Sequence, residues 1–191
     1  MIKIAIIGDI GSGKSFVSKQ FLSPVFDADK EVKKIYQNDQ KCFKKLKKKL
    51  PKFISSFPIK KKEIGKAILE NKNNLKKIIN IVHPIIRIRM KKFFKKNKNK
   101  KIIVLDIPLL LENKLNKKNY ILIFVSARKS KIMKNLKKRK NYNPKILKVL
   151  KKFQLPLELK RKKSNYIINN NFRKLYVKKN IKIIKNKILN K

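Results

Sequence analysis

The sequence predicts an α/β fold, a parallel sheet of about five strands with helices on both faces. Three observations predict it. Ile2 to Ile7, Ile102 to Leu105 and Tyr120 to Val125 are nearly continuous apolar runs, as strands buried on both faces of a parallel sheet must be. Between such runs apolar residues recur at helical spacing. The first run also leads directly into Gly8-Asp9-Ile10-Gly11-Ser12-Gly13-Lys14-Ser15, which fits the pattern G-x-x-x-x-G-K-[ST] at every fixed position.

The chain is organised around that glycine stretch, which holds three of the four glycines in the protein. Only Lys3 interrupts the apolar run ahead of it, and behind it Phe16, Val17, Gln20 and Phe21 recur at helical spacing. Strand, glycine loop and helix in this order let backbone N–H groups and a helix N-terminus wrap a polyphosphate. Lys14 is then placed to reach the outer phosphates, and Ser15 to hold a magnesium ion.

Val25-Phe26-Asp27-Ala28-Asp29 reads as a short strand ending in two carboxylates. Parallel sheets bind their ligands beyond the carboxyl ends of the strands, so both acids are aimed at whatever the loop holds. Asp29 stands just before a helical pattern and is expected to cap it, which leaves Asp27 as the better general base. From Lys30 to about Lys98 the pattern is helical, with Phe43, Leu46 and Leu50 on one face and Ile78, Ile81 and Val82 on another. Pro51 and Pro58 break this block, and His83-Pro84 is expected to restart it with His83 at the cap.

Ile102-Ile103-Val104-Leu105-Asp106 is the clearest strand after the first. Its terminal acid suits the second carboxylate that organises metal in phosphate-loop enzymes. Tyr120 to Val125 and Tyr166-Ile167-Ile168 complete the strands. Asn143-Pro144 opens a basic helix between those two, with Ile146, Leu147, Leu150 and Phe153 on one face. Basic helical excursions in this place serve as lids in small phosphoryl-transfer enzymes, and Arg139 is placed to reach a transferring phosphate.

Composition bounds what can be attached to this core. With 191 residues and 42% hydrophobic content there is one packed core with room for insertions. The absence of an eighteen-residue apolar run and of an apolar leader predicts a soluble, cytoplasmic chain with no membrane partner. Cys42 has no second cysteine to pair with, and one cysteine with one histidine makes no zinc site. The 56 Lys+Arg against 10 Asp+Glu give a formal net charge of +46, which ordinarily points to nucleic acid. Only six of these are Arg, leaving 50 Lys spread over nearly every polar position. Such a Lys/Asn/Ile excess reads as drift from A/T-biased coding, so no specific nucleic-acid partner is expected, only salt-sensitive sticking.

Four motifs in order, Gly-x-Ile-Gly-Ser-Gly-Lys-Ser, Phe-Asp-Ala-Asp, Val-His-Pro and Asp-Ile-Pro-Leu-Leu-Leu-Glu, resemble those of the dephospho-CoA kinase family. The resemblance runs from Ile2 to about Asn171, through Gln154-Leu155-Pro156, Lys160 and Ile168-Asn169-Asn170. It implies transfer of the ATP γ-phosphoryl group to the ribose 3′-hydroxyl of dephospho-CoA, the last step of coenzyme A synthesis. It also implies a P-loop kinase-like parallel core, a helical CoA-binding insertion and a mobile lid, here residues 1–29, 100–127 and 164–191, then 30–99, then 128–163.

By the same resemblance Gly11, Ser12, Gly13, Lys14, Ser15 and Phe16 hold ATP, and Ser15 and Asp106 organise Mg2+, directly or through water. Asp27, Lys14 and Arg139 carry the catalysis, while Asp27, Asp29, Lys61 and His83 face dephospho-CoA. A monomer or weak oligomer is expected. Three positions depart from the family pattern. Phe16 replaces a common Thr, Lys60-Lys61 an Asp-Arg pair, and Asn135 a second lid arginine. Another small-molecule kinase, such as a nucleotide kinase, is the alternative within enzymes; a nucleotide-switched nucleic-acid-binding protein is the alternative outside them.

Overall fold

A computed structural model describes residues 1–113, 115–139 and 142–190. In chain order the strands are β1 (Ile2–Gly8), β2 (Val25–Asp27), β3 (Ile102–Asp106), β4 (Tyr120–Ser126) and β5 (Tyr166–Asn169). The helices are α1 (Lys14–Gln20), α2 (Ala28–Asn38), α3 (Gln40–Lys49), α4 (Lys61–Glu70), α5 (Lys72–Lys96), α6 (Lys129–Lys137), α7 (Pro144–Lys152), α8 (Leu157–Lys162) and α9 (Lys174–Leu189). They fall into two compact units, Met1–Asp27 with Asn97–Tyr142 and Phe153–Lys191, and Ala28–Lys96 with Asn143–Lys152.

The first unit holds a five-stranded, wholly parallel sheet in the order β2-β3-β1-β4-β5, so every apolar run named above becomes a strand. β1 is central, and its Ile4 and Ala5 are fully buried. Side chains alternate across a strand, and the parallel register keeps like parity on one face. Ile4, Ile6, Ile102, Val104, Ile123, Val125 and Ile168 therefore share a face, closed by Val17 and Phe21 at α1 and by Val177, Ile181, Ile184 and Ile188 of α9. Each such side chain contributes roughly 1.5–3 kcal/mol relative to exposure, enough for this layer to fix where α1 sits. The alternate residues Ala5, Ile7, Ile103 and Leu105 are buried as well, as expected of a sheet covered on both sides.

The second unit is helical. Ile35, Leu46, Ile64, Ala67, Leu75, Ile78, Val82, Ile86 and Met90 are buried in it. Asp39 caps α3 by accepting from the Cys42 N–H at 2.8 Å, and Asn143 caps α7 by accepting from the Ile146 N–H at 3.1 Å, the latter as the Asn-Pro pair predicts. α7, which lies in the segment read from sequence as the lid region, packs against α4. Gly65 permits this, since a Cβ there would stand 3.3 Å from Ile146 Cδ1.

Two expectations about helix ends are corrected. α5 runs unbroken through Pro84, so His83 lies mid-helix and caps nothing. An internal proline costs about 3 kcal/mol, but buried Leu75, Ile78 and Val82 before it and Ile86 and Met90 after it form one continuous stripe, whose burial outweighs that loss. α2, in turn, begins at Ala28, which places Asp29 inside its first turn and makes Asp27 the residue that immediately precedes the helix. Asp29 thus complements the positive end of the helix dipole instead of capping it.

Candidate active site

The site is built at the carboxyl end of β1. Gly13 ends the loop there with φ +89°, a left-handed conformation that excludes other residues at little cost only because glycine has no Cβ. A Cβ on Gly13 would collide with the Asn170 amide, and one on Gly11 would stand 2.8 Å from Leu136 Cγ. Lys14 opens α1, and its ammonium donates to the Asp9 carbonyl at 2.8 Å and more weakly to that of Gly8 at 3.4 Å. Ser15 and Phe16 follow Lys14 in the first turn of α1.

Strand register brings the two acids to this end. Asp27 on β2 is the direct partner of Asp106 on β3, and Asp106 is also level with Ile6 on β1. Parity places both on the face that Val25 and Val104 share, the face that α1 covers. Asp106 is buried at 4% exposure. Two carboxylates and the start of the loop helix thus converge on one side of one sheet edge.

Arg139 lies just past α6, exposed, with its N–H bonded to the Leu136 carbonyl at 3.1 Å. Because Leu136 and Ile132 pack on Gly11, α6 carries Arg139 within about one helical turn of a residue that touches the loop. Asn135 is part of α6. The remaining predicted residues, Asp29, Lys61 and His83, belong to the helical unit, on α2, α4 and α5. Burial, helped by the nearby Arg87 charge, holds the His83 imidazole below its ordinary pKa. Lys61 is exposed and begins α4, whose start is fixed by Glu63: that carboxylate accepts from the Lys60 N–H at 2.8 Å and from the Ser55 N–H at 2.9 Å.

Polar residues to which the motifs assign no role complete the first unit's site. Asn170 is 3% exposed, donates to the Ser12 carbonyl at 2.8 Å and accepts from the Phe172 N–H at 2.8 Å, so it ties the end of β5 to the loop. Phe172 has φ +64° and presses its ring toward Gly13, a strained placement that the Asn170 bond helps to hold. On the other flank, Gln154 donates to Asp9 Oδ1 at 3.0 Å and accepts from Lys160 at 3.1 Å, and Lys160 forms a buried ion pair with Glu112. The resemblance runs through Gln154, Lys160 and Asn170 and includes Glu112, but one lysine among 50 and one asparagine in a run of three carry no sign of burial in the sequence.

A parallel five-stranded sheet with a glycine loop between its central strand and first helix, faced by carboxylates on the neighbouring strands, defines a nucleotide-binding protein of the P-loop kinase class. A family model described as dephospho-CoA kinase matches residues 2–174. The dephospho-CoA kinase of Wolbachia sp. subsp. Brugia malayi is 32% identical over 95% of each chain. Among solved structures, a crystal structure from Thermus thermophilus superposes with TM-score 0.79 at 22% identity over 97% of each chain, and dephospho-CoA kinase from Campylobacter jejuni with 0.61 at 22% over 98% of each. The chain belongs to the dephospho-CoA kinase family.

Proposed function

We propose that the glycine loop, Asp27, Asp106 and Arg139 divide the work of one reaction, the transfer of the ATP γ-phosphoryl group to the ribose 3′-hydroxyl of dephospho-CoA. ATP-dependent phosphorylation of dephospho-CoA is the activity that family membership gives this chain. The observation that carries the division of roles is the register pairing of Asp27 with Asp106 on the face that α1 covers.

Backbone N–H groups of residues 11–16 and the Lys14 ammonium bind the polyphosphate, which neutralises charge where it grows during transfer. Asp27 accepts the proton of the attacking hydroxyl as the new oxygen–phosphorus bond forms and the bond to the leaving ADP oxygen breaks. Arg139 meets the transferring group from the solvent side. Asp29, Lys61 and His83 of the helical unit are assigned to dephospho-CoA.

Mg2+ prefers one or two protein oxygens together with water and substrate phosphates. The donor set is of that chemistry: a serine hydroxyl, Ser15, in the first turn of α1 and a carboxylate, Asp106, at the end of β3. Ser15 and Asp106 would hold the ion, which supplies charge neutralisation between the phosphates. No helix among the described residues is long and apolar enough to cross a membrane. We propose a cytoplasmic monomer or weak oligomer, whose lysines bind nucleic acid without sequence preference.

The test is incubation with ATP, Mg2+ and either dephospho-CoA or a nucleotide panel, following ADP release. ADP release that depends on dephospho-CoA is expected. Faster turnover on a nucleoside monophosphate would replace the acceptor.

A further inference from the structure

We infer that Lys160 is a positioning residue for the phosphate loop, acting through Gln154 and Asp9, with Glu112 as its counter-ion. Lys160 is 2% exposed and is the one fully buried lysine among the described residues. Its ammonium pairs with Glu112 Oε1, which also accepts from the Leu155 N–H at 3.1 Å; with the Gln154 amide assigned so that its oxygen faces the ammonium and its nitrogen the Asp9 carboxylate, Lys160 also donates to that oxygen at 3.1 Å, an assignment that gives up a 3.3 Å bond to the Gly8 carbonyl for two charge-assisted ones. The amide nitrogen of Gln154 in turn donates to Asp9 Oδ1 at 3.0 Å, an oxygen that already accepts from the Ile10 N–H at 2.7 Å. Asp9 is the loop residue whose carbonyl holds the Lys14 ammonium at 2.8 Å. Four side chains therefore form one bonded path from α8 and the turn after β3 to the loop lysine.

Stability is a poor reason for such a path. A buried ammonium and carboxylate lose their hydration, and well-packed apolar side chains of similar volume commonly do as well or better. Glu112 Oε2 is buried without a hydrogen-bond partner, a further cost that packing for stability alone would avoid. What the path does provide is direction. With its amide gripped between Lys160 and Asp9, Gln154 fixes the Asp9 peptide, and this fixes where Lys14 begins its reach. The inference rests on the loop's role in ATP binding proposed above.

Three variants of the full chain test it, assayed with ATP, Mg2+ and dephospho-CoA: Gln154→Leu, Lys160→Met with Glu112→Leu, and all three changes together. Gln154→Leu cuts the link to Asp9 and leaves the ion pair in place. It is expected to raise KM for ATP about tenfold, to leave KM for dephospho-CoA within about twofold, and to shift Tm by no more than about 3 °C. The double variant should show the same ATP-specific loss while folding cooperatively. The triple variant should be no worse than either, because links of one chain do not add. The proposal falls if Gln154→Leu leaves KM for ATP within about twofold of the original, or if the losses multiply in the triple variant. Should the double variant fail to fold, Gln154→Leu decides alone. Titration of an ATP analogue gives the same ranking without turnover, so a chain that binds the analogue yet does not phosphorylate dephospho-CoA overturns the function and not the positioning role.

Discussion

Asp27 and Asp106 are register partners on adjacent parallel strands, so their backbones stand side by side at the edge where the glycine loop begins. Adjacent strands lie about 4.8 Å apart, so the two acids belong to one small region of the sheet's carboxyl end. Position separates their roles. Asp106 is buried on a strand next to β1, whereas Asp27 is half-buried on the sheet's outermost strand, as the proposed division into metal holder and base requires.

Replacing Asp27 with Asn is therefore expected to lower kcat by about two to four powers of ten with ATP affinity nearly unchanged. Asp29→Asn, which removes a charge from the first turn of α2, should cost about 0.3–1 kcal/mol of stability and keep more activity. Rates at saturating dephospho-CoA, with thermal unfolding of both variants, check the ranking. The reverse order would move the base to Asp29; equal small losses would leave positioning and electrostatics to carry the reaction.

Lys14→Ala is expected to stay folded and to lose about 10²–10³ in kcat. Its ammonium donates to the loop carbonyls of Asp9 and Gly8, and the chain keeps the buried sheet core that fixes α1 when that group is removed. Lys14→Arg should not restore the rate, because a planar fork cannot take the place of a compact point charge. Circular dichroism and steady-state turnover suffice, and full turnover by a folded Lys14→Ala chain would remove the loop from the mechanism.

The sheet was legible because parallel strands buried on both faces must be apolar at consecutive positions, as Ile102 to Leu105 are. The loop was legible because left-handed backbone at Gly11 and Gly13 leaves few alternatives to glycine. Helix ends were less so. Pro84 reads as a start by local preference, and only the stripe from Leu75 to Met90 overrides it. Asp29 reads as a cap because nothing local tells that α2 begins one residue earlier. The residues of the Lys160 path carry the family resemblance, but their contact was not legible: in a chain with 50 lysines, identity says nothing about burial. Its partners Gln154, Glu112 and Asp9 are separated by up to 145 positions, a closeness that only tertiary structure creates.

His83 gives a pH dependence of known sign. Burial holds its pKa below the ordinary value, so the folded chain refuses a proton that the unfolded chain accepts. Stability is then fully present above about pH 6.5, the unfolded value, and is lost as pH falls from there through the folded pKa. Glu31 falls in a separate window. For Glu31 burial pushes the pKa up, but hydrogen bonds and charge from Lys34 and Arg89 reverse this and hold it low, so its contribution is lost only at more acid pH. Urea midpoints at about pH 7.5 and pH 5.5 should differ for the original chain and converge for His83→Gln. An unchanged difference in the variant would assign the effect elsewhere, since no other histidine exists.

Leu22 is the clearest site for a gain in stability. It follows the end of α1 with φ +50°, its side chain is 82% exposed, and its N–H reaches the Lys19 carbonyl at a long 3.5 Å. This is the position after a helix where glycine is favoured, because left-handed backbone costs an L-residue roughly 1–2 kcal/mol. Little is lost with the side chain, as it packs on almost nothing. Leu22→Gly gives back part of the gain through the greater freedom of glycine in the unfolded chain, which leaves a net increase of about 0.5–1 kcal/mol. For a chain of this size that corresponds to a Tm higher by about 1–4 °C. Leu22→Val should go the other way, since a β-branched side chain tolerates positive φ least. Thermal unfolding of the three chains checks the order Gly above Leu above Val; a valine variant as stable as the glycine one would mean that the helix ends here without the left-handed turn.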